Sequence, residues 1–227
     1  MDTIVLFALA REHMYFLRQL DEIEAVRGLP CRAWKGQIAS RTCMVIETGI
    51  GGERVRKALD AGVREQHPRR ILFAGFAGGL DPSLRIGDVV EAGEVVGENG
   101  EIWRSPTTST EKRLLSVDRM IGDPAEKQRL REKHQADAVE MESAAFAEWC
   151  EARAIPWLCV RAISDTADAA LSPELVALMG AGRVSPWRLA WAILRRPSFV
   201  AELLRLARDT RHAAQRLAED LRKLLER

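Results

Sequence analysis

The chain has 227 residues, 47% of them hydrophobic, and a formal net charge of +1. That length fits one large domain with a sizeable core, and the balanced charge removes any global attraction to nucleic acid. Cys31, Cys43, Cys150 and Cys159 show no CxxC spacing and no nearby His cluster, which argues against zinc; without an export signal they set the expectation of a reducing, cytoplasmic compartment.

Thr3–Ala10 opens the chain as a continuous apolar run, the pattern of a strand buried on both faces. A helix is expected over Arg11–Leu20, then a strand over Cys43–Glu47. Gly52–Gln66 carries Val55, Ala58, Leu59 and Val63 at helical spacing and is stopped by His67-Pro68. Ile71–Ala74 and Asp88–Val96 read as further strands. Residues 97–136 are polar and poorly patterned, with a loop at Pro106–Thr110 and a turn at Gly122-Asp-Pro124. Such a stretch suits plain surface or, beside a pocket, a lid. Val139–Ala152 is expected to be helical, and Trp157–Ile163 to be a strand beyond Pro156. Pro186–Leu194 is helical in pattern, and Arg195-Arg196-Pro197 interrupts it. Phe199, Leu203, Leu206, Leu217, Leu221 and Leu224 then recur at helical spacing. No run approaches the length of a membrane span.

Alternating strands and helices predict an α/β layered domain over residues 1–182, with a central, largely parallel sheet. Residues 183–227 form a basic helical extension with eleven Lys/Arg against five Asp/Glu. Its apolar stripe suits packing on its own domain or a partner subunit, and its arginines suit a membrane surface. In open α/β sheets, ligands bind beyond the carboxyl ends of the strands. Glu12, Gly49–Gly52, Gly75–Gly79 and Ser164–Asp165 all follow apolar strands, so they are expected around one pocket. Thr48-Gly-Ile-Gly-Gly52 joins a strand to a helix whose N-terminus offers free N–H groups, but it lacks the spacing of a dinucleotide loop and the Lys of a P-loop. Taken alone, a tight turn is the plainer reading of Thr48–Gly52, and turn packing the plain reading of Gly75–Gly79. Glu140 and Glu142 lie at a helix start and Asp165 follows an apolar strand; acids in such company need a partner or a task.

Taken in order, Ala8-Leu-Ala-Arg-Glu12, Thr48-Gly-Ile-Gly51, Gly75-Phe-Ala-Gly-Gly-Leu80, Gly87-Asp-Val89, Val139-Glu-Met-Glu142 and Arg161-Ala-Ile-Ser-Asp165 form a set. The set resembles the nucleoside phosphorylase family, closest to its methylthioadenosine/S-adenosylhomocysteine nucleosidase branch, over roughly residues 3–170. The resemblance implies a single α/β domain with a mixed, mostly parallel, partly barrel-like sheet. It implies no metal or organic cofactor, a nucleoside substrate, a homo-oligomer, and cleavage of an N-ribosidic bond. In that light Asp165 protonates the departing purine, with Ser164 beside it and Arg161 on the same strand. Glu142 accepts hydrogen bonds from the ribose hydroxyls and Met141 packs on the sugar. Glu140 points elsewhere, since neighbouring side chains alternate along extended backbone, and reads as a capping or surface acid. Glu12 activates water or adds a ribose contact. Ile50, Ala77 and Gly78 match substrate-contacting positions, Met120 would stack on the base, and Ile121 would offer backbone groups to its edge.

Two departures qualify the resemblance. Phe76 stands where the family usually has a small hydroxyl residue that in phosphorylases helps to hold phosphate. Whether water or phosphate is the nucleophile therefore stays open, with Arg11 or Arg54 as the available charge. The basic, Trp-bearing ending is similar to that of hopanoid-associated phosphorylases, which remove adenine from adenosylhopane; a cationic amphipathic end suits a lipid substrate met at a membrane. A non-catalytic nucleoside-binding protein of the same fold would be expected to lack one of the acids, and all three positions are filled.

Overall fold

The computed structural model describes residues 1–63, 66–172, 174–176 and 198–226. The expected Pro186–Leu194 helix and its interruption lie outside them. Strand β1 (Thr3–Phe7) runs parallel to β4 (Arg41–Glu47) on one side and β5 (Arg70–Gly79) on the other, and β11 (Trp157–Asp165) continues the parallel run beyond β5. All five residues of β1 are buried, as its unbroken apolar run demands. Antiparallel strands extend this centre. The hairpin β2 (Asp21–Val26) and β3 (Arg32–Ile38) pairs onto β4, and β6 (Val89–Ala92) pairs onto β11. Strand β10 (Ala138–Glu140) pairs antiparallel with the end of β5 and leads through β9 (Arg113–Ser116) to β7 (Glu94–Gly97) and β8 (Ile102–Arg104). Among the described residues, five of the ten ladders are antiparallel, so the sheet is mixed: parallel through β4, β1, β5 and β11, and parallel again through β10, β9 and β7. Strand β5 pairs with β1 through Arg70–Phe73 and with β10 through Gly78 and Gly79, so one edge serves two neighbours in succession.

Several expected boundaries move. Residues 139–152 are not one helix: β10 ends at Glu140, and helix α4 (Ser143–Glu151) starts after Glu142. The expected strand 88–96 is two, divided at Gly93, where the Thr110 carbonyl lies so close that no side chain would fit. The stretch Gly75–Gly79 is the last half of β5 rather than a turn. Residues 97–136 hold β8, β9 and helix α3 (Pro124–His134), started by an Asp123 side chain that accepts from the Ala125 N–H, with Pro124 in the first turn.

Helices α1 (Ala10–Leu17) and α2 (Gly52–Val63) follow β1 and β4. The long helix α5 (Ser198–Glu226) lies against α1, β5 and β11. Its Ala213, Leu217, Ala218, Leu221 and Leu225 are buried with Val5, Phe7 and Phe16 in one apolar cluster. Arg41 donates to the Leu225 carbonyl and Arg70 to the Leu224 carbonyl, serving acceptors that the helix end leaves without intrahelical partners. Among the described residues, no helix is long and apolar enough to cross a membrane.

Candidate active site

At the carboxyl ends of β1, β5 and β11 lies a cavity of about 200 Å³. Glu12 reaches it from the first turn of α1. Its Oε2 accepts from the Leu9 N–H at 2.8 Å, and its Oε1 accepts from the Phe76 N–H at 3.0 Å. The side chain is thereby fixed between two strand ends. It is 5% exposed, not an open surface acid, and burial raises its pKa against the opposing pull of Arg161 and the backbone N–H groups.

The Val139-Glu-Met-Glu142 motif divides its carboxylates. Glu140 accepts from the N–H groups of Glu142 (3.0 Å) and Ser143 (2.9 Å), capping α4. Its Oε2 also accepts from Arg161 Nη2 at 2.8 Å, and the same nitrogen donates to Ser143 Oγ at 2.8 Å. Glu142 turns into the cavity, and its Oε1 accepts from the Gly51 N–H at 2.9 Å, at the start of α2. Burial, and then the Glu140 carboxylate, pushes the Glu142 carboxyl up to about 7.

Arg161 is the sequence assignment that the geometry moves. It does not line the cavity. It is 2% exposed behind the wall, paired with Glu140, with its guanidinium carbon 4.1 Å from the Phe73 ring centroid. Period-two alternation puts Arg161 and Ile163 on one face of β11, and a register shift between Ile163 and Asp165 then breaks the alternation. That bulge lets both Ser164 and Asp165 line the cavity.

Asp165 Oδ1 accepts from Ser164 Oγ at 2.9 Å, and Oδ2 accepts from Lys127 Nζ at 2.5 Å. Two glycines make room for these charged groups. A Cβ on Gly78 would stand 3.1 Å from Asp165 Oδ2; one on Gly75 would stand 2.7 Å from Arg161 Nη1 and 2.9 Å from Glu12 Oε1.

Of the residues expected at a site, Glu12, Ile50, Phe76, Ala77, Gly78, Met120, Ile121, Met141, Glu142, Ser164 and Asp165 line this one cavity. Sequence reasoning missed Leu171, Leu206 and Thr210, which close the wall, and Lys127 behind it. Leu206 belonged to a recognised apolar stripe, but nothing local told which part of the stripe faced a pocket. Arg119, also on the wall, is held by Glu98 at 2.6 Å and Glu126 at 2.8 Å.

The family model described as the phosphorylase superfamily matches residues 2–107 and 104–181. A 5'-methylthioadenosine/S-adenosylhomocysteine nucleosidase of Tolumonas auensis is 25% identical over 196 residues, 72% of this chain and 85% of that protein. Among solved structures, the corresponding nucleosidase of Neisseria meningitidis in complex with methylthio-immucillin-A superposes with a TM-score of 0.76 at 19% identity, over 99% of this chain and 98% of the other. The futalosine hydrolase of Helicobacter pylori superposes with a TM-score of 0.75 at 19% identity, over 99% and 97%.

Proposed function

Since the chain belongs to the phosphorylase superfamily, we propose that it is an enzyme that cleaves the N-ribosidic bond of a 5′-modified purine nucleoside, with water as the nucleophile. The observation that carries this reading is the convergence of Glu12, Glu142 and Asp165 on one cavity from three different strand ends. Breaking the bond builds positive charge on the sugar and negative charge on the base. An acid at the base and carboxylates at the sugar answer both demands. Asp165 delivers the proton to the purine, Glu142 accepts from the ribose hydroxyls, and Glu12 takes a proton from the attacking water. A raised pKa makes Glu12 a stronger base than an ordinary carboxylate.

Glu12, Glu142 and Asp165 on the wall oppose a phosphate dianion and favour water, against the attraction of Arg11, which also lines the cavity. A phosphate dianion would have to enter beside carboxylates. The Phe76 N–H and the Gly51 N–H, which could otherwise face an anion, already donate to Glu12 and Glu142. Arg161 is committed to Glu140.

Leu9, Phe76, Leu171 and Leu206 give the cavity apolar walls, which suit an apolar 5′ group. The reading extends to adenosylhopane as substrate; methylthioadenosine is the alternative, favoured by the names of the relatives at 25% identity. Incubation with methylthioadenosine, S-adenosylhomocysteine, inosine and adenosylhopane, each with and without phosphate, tests both levels, with free base followed by chromatography. Adenine release without phosphate is the expected result. Release only with phosphate would replace water as the nucleophile, and no base release from any substrate would end the enzymatic reading.

A further inference from the structure

Lys127 is the most deeply placed cation described in this chain, and the chemistry above gives it no task. It sits on α3 with 0% exposure. An ammonium has three N–H donors, and here each meets an acceptor: Asp165 Oδ2 at 2.5 Å, the Thr166 carbonyl at 2.7 Å and the Ala169 carbonyl at 3.5 Å. A lysine fully out of water loses side-chain entropy and hydration, and a leucine at this position would pack without either cost. Its ammonium is aimed at the one carboxyl that must be protonated when the purine departs.

Resting on the hydrolase reading, we propose that Lys127 is a positioning residue that supplies the proton Asp165 delivers. At 2.5 Å, Asp165 Oδ2 is the direct acceptor for a proton of the Lys127 ammonium. One proton passes from Lys127 Nζ to Asp165 Oδ2, leaving a neutral amine and a neutral carboxyl. The carboxyl then gives that proton to a purine ring nitrogen as the C1′–N bond breaks and its electron pair goes to the base. Water forms the new bond to C1′ and loses its proton to Glu12. Once the base has left, Asp165, whose side chain is 14% exposed, picks up a proton from solvent and returns it to Lys127. The Thr166 and Ala169 carbonyls keep Nζ in place in both states. The burial of Lys127 makes the exchange of an ion pair for a neutral pair easier than it would be in water.

Two substrates with different leaving groups separate this role from a structural one. Methylthioadenosine needs its base protonated, whereas 4-nitrophenyl β-D-riboside releases a stable phenolate that does not. Lys127→Gln keeps N–H donors for the carbonyls without a transferable proton, and Lys127→Met keeps the packing. Each is expected to lower kcat on methylthioadenosine by at least about 10²-fold, the range of general acid catalysis, with KM and the nitrophenyl riboside rate changed by less than about threefold. In an Asp165→Asn background neither should slow methylthioadenosine cleavage further. Parallel loss on both substrates, further loss in that background, or no loss at all overturns the inference while leaving the hydrolase reading intact. Silence of the wild-type protein toward every nucleoside would remove that reading and this inference together.

Discussion

Glu142, the proposed acceptor for the ribose hydroxyls, sits near its own point of titration at neutral pH. Burial and the neighbouring Glu140 carboxylate push its carboxyl up to about 7, so below that pH it is neutral and a weaker acceptor for ribose hydroxyls. KM for methylthioadenosine is therefore expected to fall as pH rises from about 6 to about 8, measured by initial rates across that range. Glu142→Ala and Asp165→Asn should each slow base release by at least about 10²-fold, and near-normal rates in either variant would contradict its assignment. Arg161 acts at a distance. Replacing it with Met leaves Glu140 buried and unpaired, which is expected to cost about 3–5 kcal/mol in urea unfolding. The acids themselves were legible because their spacing matched an ordered set. The fate of Arg161 was not, because a bulge one residue wide decides which side chains of β11 face the cavity, and no residue type in Arg161-Ala-Ile-Ser-Asp165 announces it. Lys127 was equally silent: in the polar run of α3 it looks no different from Lys133, which is exposed.

Strand β5 shows how an element can be misread from good local logic. Glycines usually punctuate, so Gly75–Gly79 suggested turns; here they continue a strand whose missing side chains admit Glu12, Arg161 and Asp165. Gly75→Ala is expected to abolish base release, because its Cβ would displace both Arg161 and Glu12; activity within about tenfold of wild type would contradict that placement. The central strands were readable from unbroken apolar runs. The β2–β3 hairpin was not, since β2 is exposed along most of its length and carries no alternation. Helix α3 carried a start signal in Asp123-Pro124, read only as a turn because its solvent-facing sequence lacks an apolar stripe. The stripe of α5 was visible, and the structure sets Leu217, Leu221 and Leu224 against the sheet and α1 and Leu206 on the cavity wall.

Across the whole molecule, buried carboxyls set how stability follows pH. Glu12 and Glu142 both have folded-state pKa values raised above the ordinary 4.5. Folding therefore favours their protonated forms. The stability they contribute is complete below about pH 4.5 and is lost as pH rises through the folded value, about 7 for Glu142. Thermal denaturation should show wild-type Tm falling between about pH 5 and about pH 8 relative to Glu142→Gln, whose neutral amide does not titrate. An identical pH trend in the two proteins would show that Glu142 is not strained by its ionisation. The domain thus gives up stability in the very range where its proposed sugar-binding acid becomes charged, the exchange expected of a site built for function.

The cavity wall draws on Ala8 near one end of the described chain and on Thr210 near the other. Synthesis runs from the first to the second, so Glu12, Glu142 and Asp165 all leave the ribosome before the helix that adds Leu206 and Thr210 to the wall beside them. Until residue 210 has emerged and α5 has docked, the cavity lacks Leu206 and Thr210 from its wall and is more open to water, which weakens the stabilisation of a developing charge. A chain stopped before α5 would therefore carry all three acids yet lack the part of the wall that Leu206 and Thr210 supply.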